Sequence, residues 1–133
     1  MPTKRIRVLV AEDDEINARV ARTILERLGC SVDLASNGNQ AIEYFRQHAY
    51  DLVLMDWQMP VMDGIEATAR IRSMPRGKIT PIVGTTSHTA YAECLAVGMN
   101  DVVPKPFVTE KVLSLLTRWT KWPIDIEPDS SPA

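Results

Sequence analysis

Several classes of protein are excluded by what this sequence lacks. Its two cysteines, Cys30 and Cys94, stand far apart with no C-x-x-C spacing, which suggests neither a disulfide framework nor cysteine-held zinc. Basic residues are not in excess: 15 Lys and Arg face 17 Asp and Glu, which argues against a dedicated nucleic-acid binder. No charged n-region with an apolar h-region precedes the first apolar run, and no apolar run approaches membrane length. A cytoplasmic, reducing location without membrane contact is therefore the expectation. Internal repeats are absent, and the six glycines form no phosphate-cradling loop. What remains is ordinary for a globular chain, with 45% hydrophobic and 24% charged residues. At 133 residues the chain suits one domain with one sizeable core.

The informative stretch is Leu52-Val53-Leu54-Met55-Asp56, an apolar run that ends in a carboxylate. Such a run reads as a strand buried on both faces of a parallel sheet. An Asp after a strand often only caps a turn. Here, however, the pattern recurs: Val8–Ala11 runs into Glu12-Asp13-Asp14, Pro81–Gly84 into Thr85-Thr86, and Val102–Pro104 into Lys105. In open α/β sheets ligands gather beyond the carboxyl ends of strands. If these runs are parallel neighbours, their polar ends share one rim.

Helical spacing fills the gaps. Asp14 is placed to cap a helix from Glu15 to Leu28, with Ile16, Val20, Ile24 and Leu28, joined by Ala21 and Leu25, as its apolar stripe and Gly29 as its stop. Ser31–Ala35 alternates polar and apolar, as an edge strand does. A short helix carries Ala41, Ile42 and Phe45. Asp63 should cap a third helix, with Glu66 reaching back in a capping box. A fourth helix is expected from about Thr89 to Val97, ended by Gly98. Pro104 suits an edge strand. The last helix, Thr109 to Trp119, should turn Val112, Leu113, Leu116 and Trp119 inward. The expectation is an α/β (βα)5 doubly wound parallel sheet of order 2-1-3-4-5 over residues 1–122. Residues 123–133, rich in Pro, Asp and Ser, read as a tail or linker without structure.

Glu12-Asp13, the run Met55-Asp56-Trp57-Gln58-Met59-Pro60-Val61-Met62-Asp63-Gly64, Thr86 and Lys105-Pro106-Phe107 occur in the order and context of two-component receiver domains. The chain resembles that family over roughly residues 5 to 120, and its wording around Asp56 is most similar to receivers of hybrid histidine kinases. The resemblance implies a flavodoxin-like receiver fold and a phosphoacceptor role in a phosphorelay. Asp56 would take a phosphoryl group from a phosphohistidine donor, a histidine kinase or a histidine phosphotransfer protein. Mg²⁺ would be held by Asp13, Asp56 and the backbone carbonyl of Gln58, with Glu12 acting through water. Thr86 would hydrogen-bond the phosphoryl group and Lys105 would pair with it. A candidate cis bond at Lys105-Pro106 would aim the amine inward.

Elementary electrostatics asks for the same set. Two carboxylates about 4 Å apart repel by roughly 4 kcal/mol at an effective dielectric near 20. Three acids on one rim call for a cation, and oxygen-only ligands suit Mg²⁺. A carboxylate can also attack phosphorus. Such a chain would catalyse its own phosphorylation and hydrolysis without being an enzyme in the usual sense. Three features depart from the family pattern: Val102 stands where a ring is common, the segment from Thr86 to Gly98 is short, and Gly84 replaces a larger residue. Competing readings are a stand-alone response regulator, a binding-only relative and a Mg²⁺-dependent phosphatase with an Asp nucleophile. The last wants a second Asp where Gln58 stands. A flavodoxin-like mononucleotide binder fits less well, because the first loop is acidic rather than glycine-rich. Trp57 reads as a rim residue, His88 as a bystander, and Cys94 and Met99 as packing.

Overall fold

Five parallel strands are built from the apolar runs in the computed structural model, which describes residues 5–57, 59, 62–86, 91–105 and 107–122. They are β1 (Arg7–Ala11), β2 (Ser31–Ala35), β3 (Leu52–Asp56), β4 (Ile82–Thr86) and β5 (Asp101–Pro104), in the order β2-β1-β3-β4-β5. The helices are α1 (Glu15–Arg27), α2 (Gly38–Gln47), α3 (Gly64–Arg72), α4 (Tyr91–Ala96) and α5 (Thr109–Trp119), with a short 3-10 turn at Arg76–Lys78. This is the doubly wound architecture expected from the sequence, with β2 and β5 at the edges.

Alternation along the central strands divides the core. Leu9, Ala11, Val53 and Met55 face one layer with Ala41, Phe45, Ala67 and Ile71 of α2 and α3. Val8, Val10, Leu52 and Leu54 face the other, with Ala21 and Leu25 of α1 and Val112, Leu115 and Leu116 of α5. A side chain of this kind contributes roughly 1.5–3 kcal/mol when fully buried. The strand ends are therefore held by strands that cannot slip register without exposing a layer.

Caps follow the sequence closely. Asp14 accepts hydrogen bonds from the Ile16 and Asn17 amides, and Asn37 and Asp63 cap α2 and α3. Gly29 (φ 90°) and Gly98 (φ 108°) take the left-handed conformation beyond α1 and α4.

Three local expectations are corrected. In α1 the expected Ala21 and Leu25 are buried, together with Ala18, but Ile16 is 74% exposed and Val20 38%. Residues four apart drift around a helix by about 40° per step, so the expected stripe could not stay on one face. Glu66 does not reach back to Asp63; its carboxylate accepts from Arg70 one turn later. In α5, Leu115 is buried where Leu113 was expected, and Leu113 is half-buried.

Two contacts bind the far side of the sheet. A Cβ on Gly84 would lie 2.5 Å from Met99 Sδ and 3.4 Å from Cys94 Sγ, so the bare strand at 84 is the seat for Met99. Arg72, at the end of α3, donates to the carbonyls of Gly77, Thr80 and Gly98 and to Asn100 Oδ1. Asn100 Oδ1 in turn accepts from the Ile82 amide. Several sequence expectations, at Gln58, His88, Pro106, the start of the fourth helix and residues 123–133, lie outside the described residues.

Candidate functional site

Parallel register sets the rim. Ala11 is level with Met55, Asp56 with Thr85, and Thr86 with Pro104. The next residues along, Glu12 and Lys105, therefore arrive beside Asp56 at the carboxyl end of the sheet. Glu12 is held there by its own backbone, whose amide donates to Ala35 O. Its Oε2 also accepts from the Asp14 amide, tying the acidic loop to the cap of α1.

Lys105 Nζ lies 3.1 Å from Glu12 Oε1 and 3.1 Å from Asp56 Oδ2. Glu12 and Asp56 are each only 2% exposed. Asp13, at the surface, brings a third carboxylate, and one oxygen from each acid falls within 4.8 Å of the others. Burial works against the charge on Lys105, but Asp56 and Glu12 together outweigh it, and its pKa stands above the ordinary lysine value. The ammonium is thus firmly protonated.

Three carboxylates and one ammonium leave the cluster two charges short of neutral. All its ligand atoms are carboxylate oxygens, and one of the three acids faces solvent while two are buried. That set fits a hard divalent cation and offers nothing to a soft one. Among the described residues, Glu12, Asp13 and Asp56 are the group of acids so placed.

Of the residues singled out in the sequence, Glu12, Asp13, Asp56 and Lys105 are brought together. Thr85 and Thr86 are both buried at the end of β4, and Lys105 is positioned through its amide, which donates to Thr86 O. Trp57 follows Asp56, half-buried, its amide donating to Thr85 O. Met99 and Cys94 are packing residues, as expected.

Gly64 was read only as part of a motif. Its Cα rests against the backbone of Asp56: a Cβ there would sit 2.0 Å from Asp56 O. Its amide donates to Trp57 O, so the first turn of α3 closes over the end of β3. The signal available in the sequence was a glycine directly after a capping Asp, where a helix former would serve better.

Comparison with known proteins agrees with this geometry. Residues 8–117 match the response regulator receiver domain. The chain is 47% identical to the two-component response regulator ORR41 of Oryza sativa subsp. japonica, over 90% of this chain and 98% of that protein. It is 38% identical to the aerobic respiration control sensor protein ArcB of Escherichia coli K12, over 90% of this chain but only 16% of ArcB. Among solved structures it resembles the receiver domain of sensor histidine kinase PA1611 from Pseudomonas aeruginosa, which has a magnesium ion coordinated in its active-site cleft. That likeness has TM-score 0.82 and 35% identity, over 87% of this chain and 98% of that one. It also resembles the Saccharomyces cerevisiae receiver domain of Ssk1 in complex with the histidine phosphotransfer protein Ypd1. Here the TM-score is 0.81 and the identity 27%, over 96% of this chain and 97% of that one. Among the described residues no helix is long and apolar enough to cross a membrane. The paired buried carboxylates, the lysine between them and the match over residues 8–117 lead to one assignment: the chain belongs to the response regulator receiver domain family of two-component signalling.

Proposed function

We propose that Asp56 is the phosphoacceptor of a phosphorelay and takes its phosphoryl group from a phosphohistidine on a histidine kinase or histidine phosphotransfer protein. The observation that carries this is the single ammonium of Lys105 set 3.1 Å from the buried carboxylates of both Asp56 and Glu12. A carboxylate oxygen of Asp56 attacks phosphorus, the bond from phosphorus to the imidazole nitrogen breaks, and that nitrogen keeps the electron pair. The product is an aspartyl phosphate. Lys105 offsets charge on the phosphoryl oxygens, and Thr86 donates its hydroxyl to one of them after transfer.

Mg²⁺ is the cation we assign to the acid cluster, with Asp13 and Asp56 as direct ligands, Gln58 contributing its carbonyl and Glu12 acting through water. When bound, it neutralises developing charge on the transferring group. Mg²⁺ titration should change Trp57 emission saturably, and Asp13→Asn should raise the midpoint at least about tenfold by removing one of two direct carboxylates. An unchanged midpoint would place the cation elsewhere.

The same reading gives the donor a landing surface. Ile16 and Val20 of α1 stand exposed on the helix that starts at the acidic loop. An apolar pair beside Asp56 suits docking of a phosphohistidine donor, of the class of the histidine phosphotransfer protein in the Ssk1 complex. Ile16→Asp should slow transfer from a phosphorylated histidine phosphotransfer protein by about tenfold or more, a loss of about 1.4 kcal/mol. Labelling by acetyl phosphate, which needs no docking, should be unchanged. Equal slowing of both reactions would assign Ile16 to the fold instead.

We take residues 1–122 as the receiver unit and read it as the receiver segment of a hybrid histidine kinase, the likeness its wording around Asp56 carries. A stand-alone regulator is the second reading, favoured by the near-complete coverage of the rice protein. The reading frame flanking this segment decides between them.

A further inference from the structure

The groove between α2 and α3 plays no part in the site described above. Its volume is about 530 Å³, and Ile42, Phe45, Met74 and Pro75 form its floor. Arg46 on α2, Arg70 on α3 and Arg76 in the 3-10 turn form its rim. It lies at the last turns of the two helices, which lead back to the starts of β3 and β4. Asp56 is at the far end of β3, so a strand of five residues, at about 3.3 Å each, separates the two places.

The walls of the groove are braced. Arg72 Nη1 donates to Gly77 O and Thr80 O at 2.6 and 2.7 Å, fixing the turn that carries Arg76. A Cβ on Gly77 would lie 1.7 Å from Ile71 O, so that turn is pressed against α3. Arg76 Nη2 donates to Phe45 O, and its guanidinium stands over the Phe45 ring, 5.8 Å from the centroid. One charge is thus laid on the apolar floor itself. A groove fixed in this way needs little ordering when a ligand enters, which removes one cost of binding.

Arg46 and Arg70 have an ordinary role as well. Cations in the last turn of a helix favour its dipole, and each pairs with an acid of its own helix, Glu43 or Glu66. Such exposed pairs contribute little and exchange readily. That role leaves the open apolar floor between them unexplained. With Lys78 in the turn, the margin carries four bases beside those two acids, in a chain whose formal charge is −2. An incoming carboxylate therefore meets a positive rim. A compact anion wants donors that converge, whereas these guanidiniums belong to three separate elements around an apolar floor. Charges spaced along a chain, with an apolar side chain between them, match that layout.

We propose that this groove docks an acidic peptide segment of a partner protein. One leucine-sized side chain fills the floor, and carboxylates on either side of it meet Arg46, Arg70 and Arg76. The receiver gains a second point of attachment, away from the phosphoacceptor. The inference stands independently of the phosphorelay reading, because it concerns the other end of the sheet.

The test titrates the isotope-labelled full chain with the peptide Glu-Glu-Leu-Glu-Glu, blocked at both ends. Amide signals of residues 42–46 and 70–78 should shift saturably. Arg46→Gln combined with Arg70→Gln should weaken binding about tenfold or more, and so should Ser73→Trp, which fills the groove from an exposed position. Arg118→Gln, on α5, should leave binding unchanged. Equal binding of Glu-Glu-Ala-Glu-Glu would reduce the site to surface charge and overturns the proposal. So does the absence of shifts at 42–46 and 70–78, or the same shifts on adding inorganic phosphate alone. The same shifts on concentrating the chain without peptide also overturn it, since they assign the groove to a second copy.

Discussion

With Asp56 replaced by Asn, the protein should take up no phosphoryl group from acetyl phosphate and Mg²⁺, while the wild type gains one. The expectation rests on geometry rather than on the number of acids nearby. Asp13 and Asp14 are also carboxylates close to the rim, but both are exposed, and Asp14 Oδ1 is engaged by two amides of α1. Asp56 is fixed at the end of a fully buried strand with an ammonium at 3.1 Å, and Glu12, which shares that ammonium, already accepts from the Asp14 amide. An amide oxygen is a poor nucleophile, so the rate should fall by about a hundredfold or more, equivalent to at least about 2.7 kcal/mol in the barrier. The substitution keeps size and shape, and circular dichroism should show the fold unchanged. Intact-mass spectra would read the result. Equal phosphate on both proteins would move the nucleophile to another acid.

The second large effect is expected from a methyl group. Gly64→Ala would set a Cβ 2.0 Å from Asp56 O, 2.9 Å from its carbonyl carbon and 3.0 Å from Met55 Cγ. Backbone of a buried central strand cannot step aside, so α3 must lift away from β3. Overpacking costs about 1–3 kcal/mol when side chains can adjust, and more when backbone has to move. Alanine returns at most about 1 kcal/mol through helix propensity. A net loss of about 3 kcal/mol or more in urea unfolding is expected, with weakened Mg²⁺ binding because Asp56 moves with its carbonyl. Gly29→Ala is the matched control: it strains a backbone at φ 90° but meets nothing within 4 Å. That change should cost only about 1 kcal/mol and leave the metal response intact. Equal stability of Gly64→Ala and wild type would mean the helix start is softer than its contacts imply.

These two glycines also show where the sequence was readable. Gly29 announces itself, because a glycine after an amphipathic run marks a left-handed helix stop. Gly64 does not, because its constraint comes from Asp56, eight positions earlier, and exists only once β3 and α3 are packed. The same divide runs through the whole chain. The four apolar runs with polar ends disclosed the sheet, its order and the convergence of Glu12, Asp56 and Lys105, since both faces of those strands are buried and alternation or its absence reports that directly. The α1 stripe held at Ala21 and Leu25 but misled at Ile16 and Val20, which are more exposed than Ala18. A hydrophobicity pattern weights the larger residues, whereas close helix-to-sheet approach selects the smaller. Nothing local identified Arg72, whose acceptors at Gly77, Thr80, Gly98 and Asn100 lie up to 28 residues away.

That guanidinium has a mechanical consequence. The turn after α4, the start of β4 and the end of α3 are joined through one planar, permanently charged group, and Met99 is seated on Gly84 beside it. Planar forks of this kind hold orientation as well as distance. The C-terminal end of α4 is thus pinned to β4 and α3, while Thr86 lies at the opposite end of β4, beside Asp56. A pull at Thr86 is accordingly expected to turn α4 about Gly98 rather than to translate the whole helix.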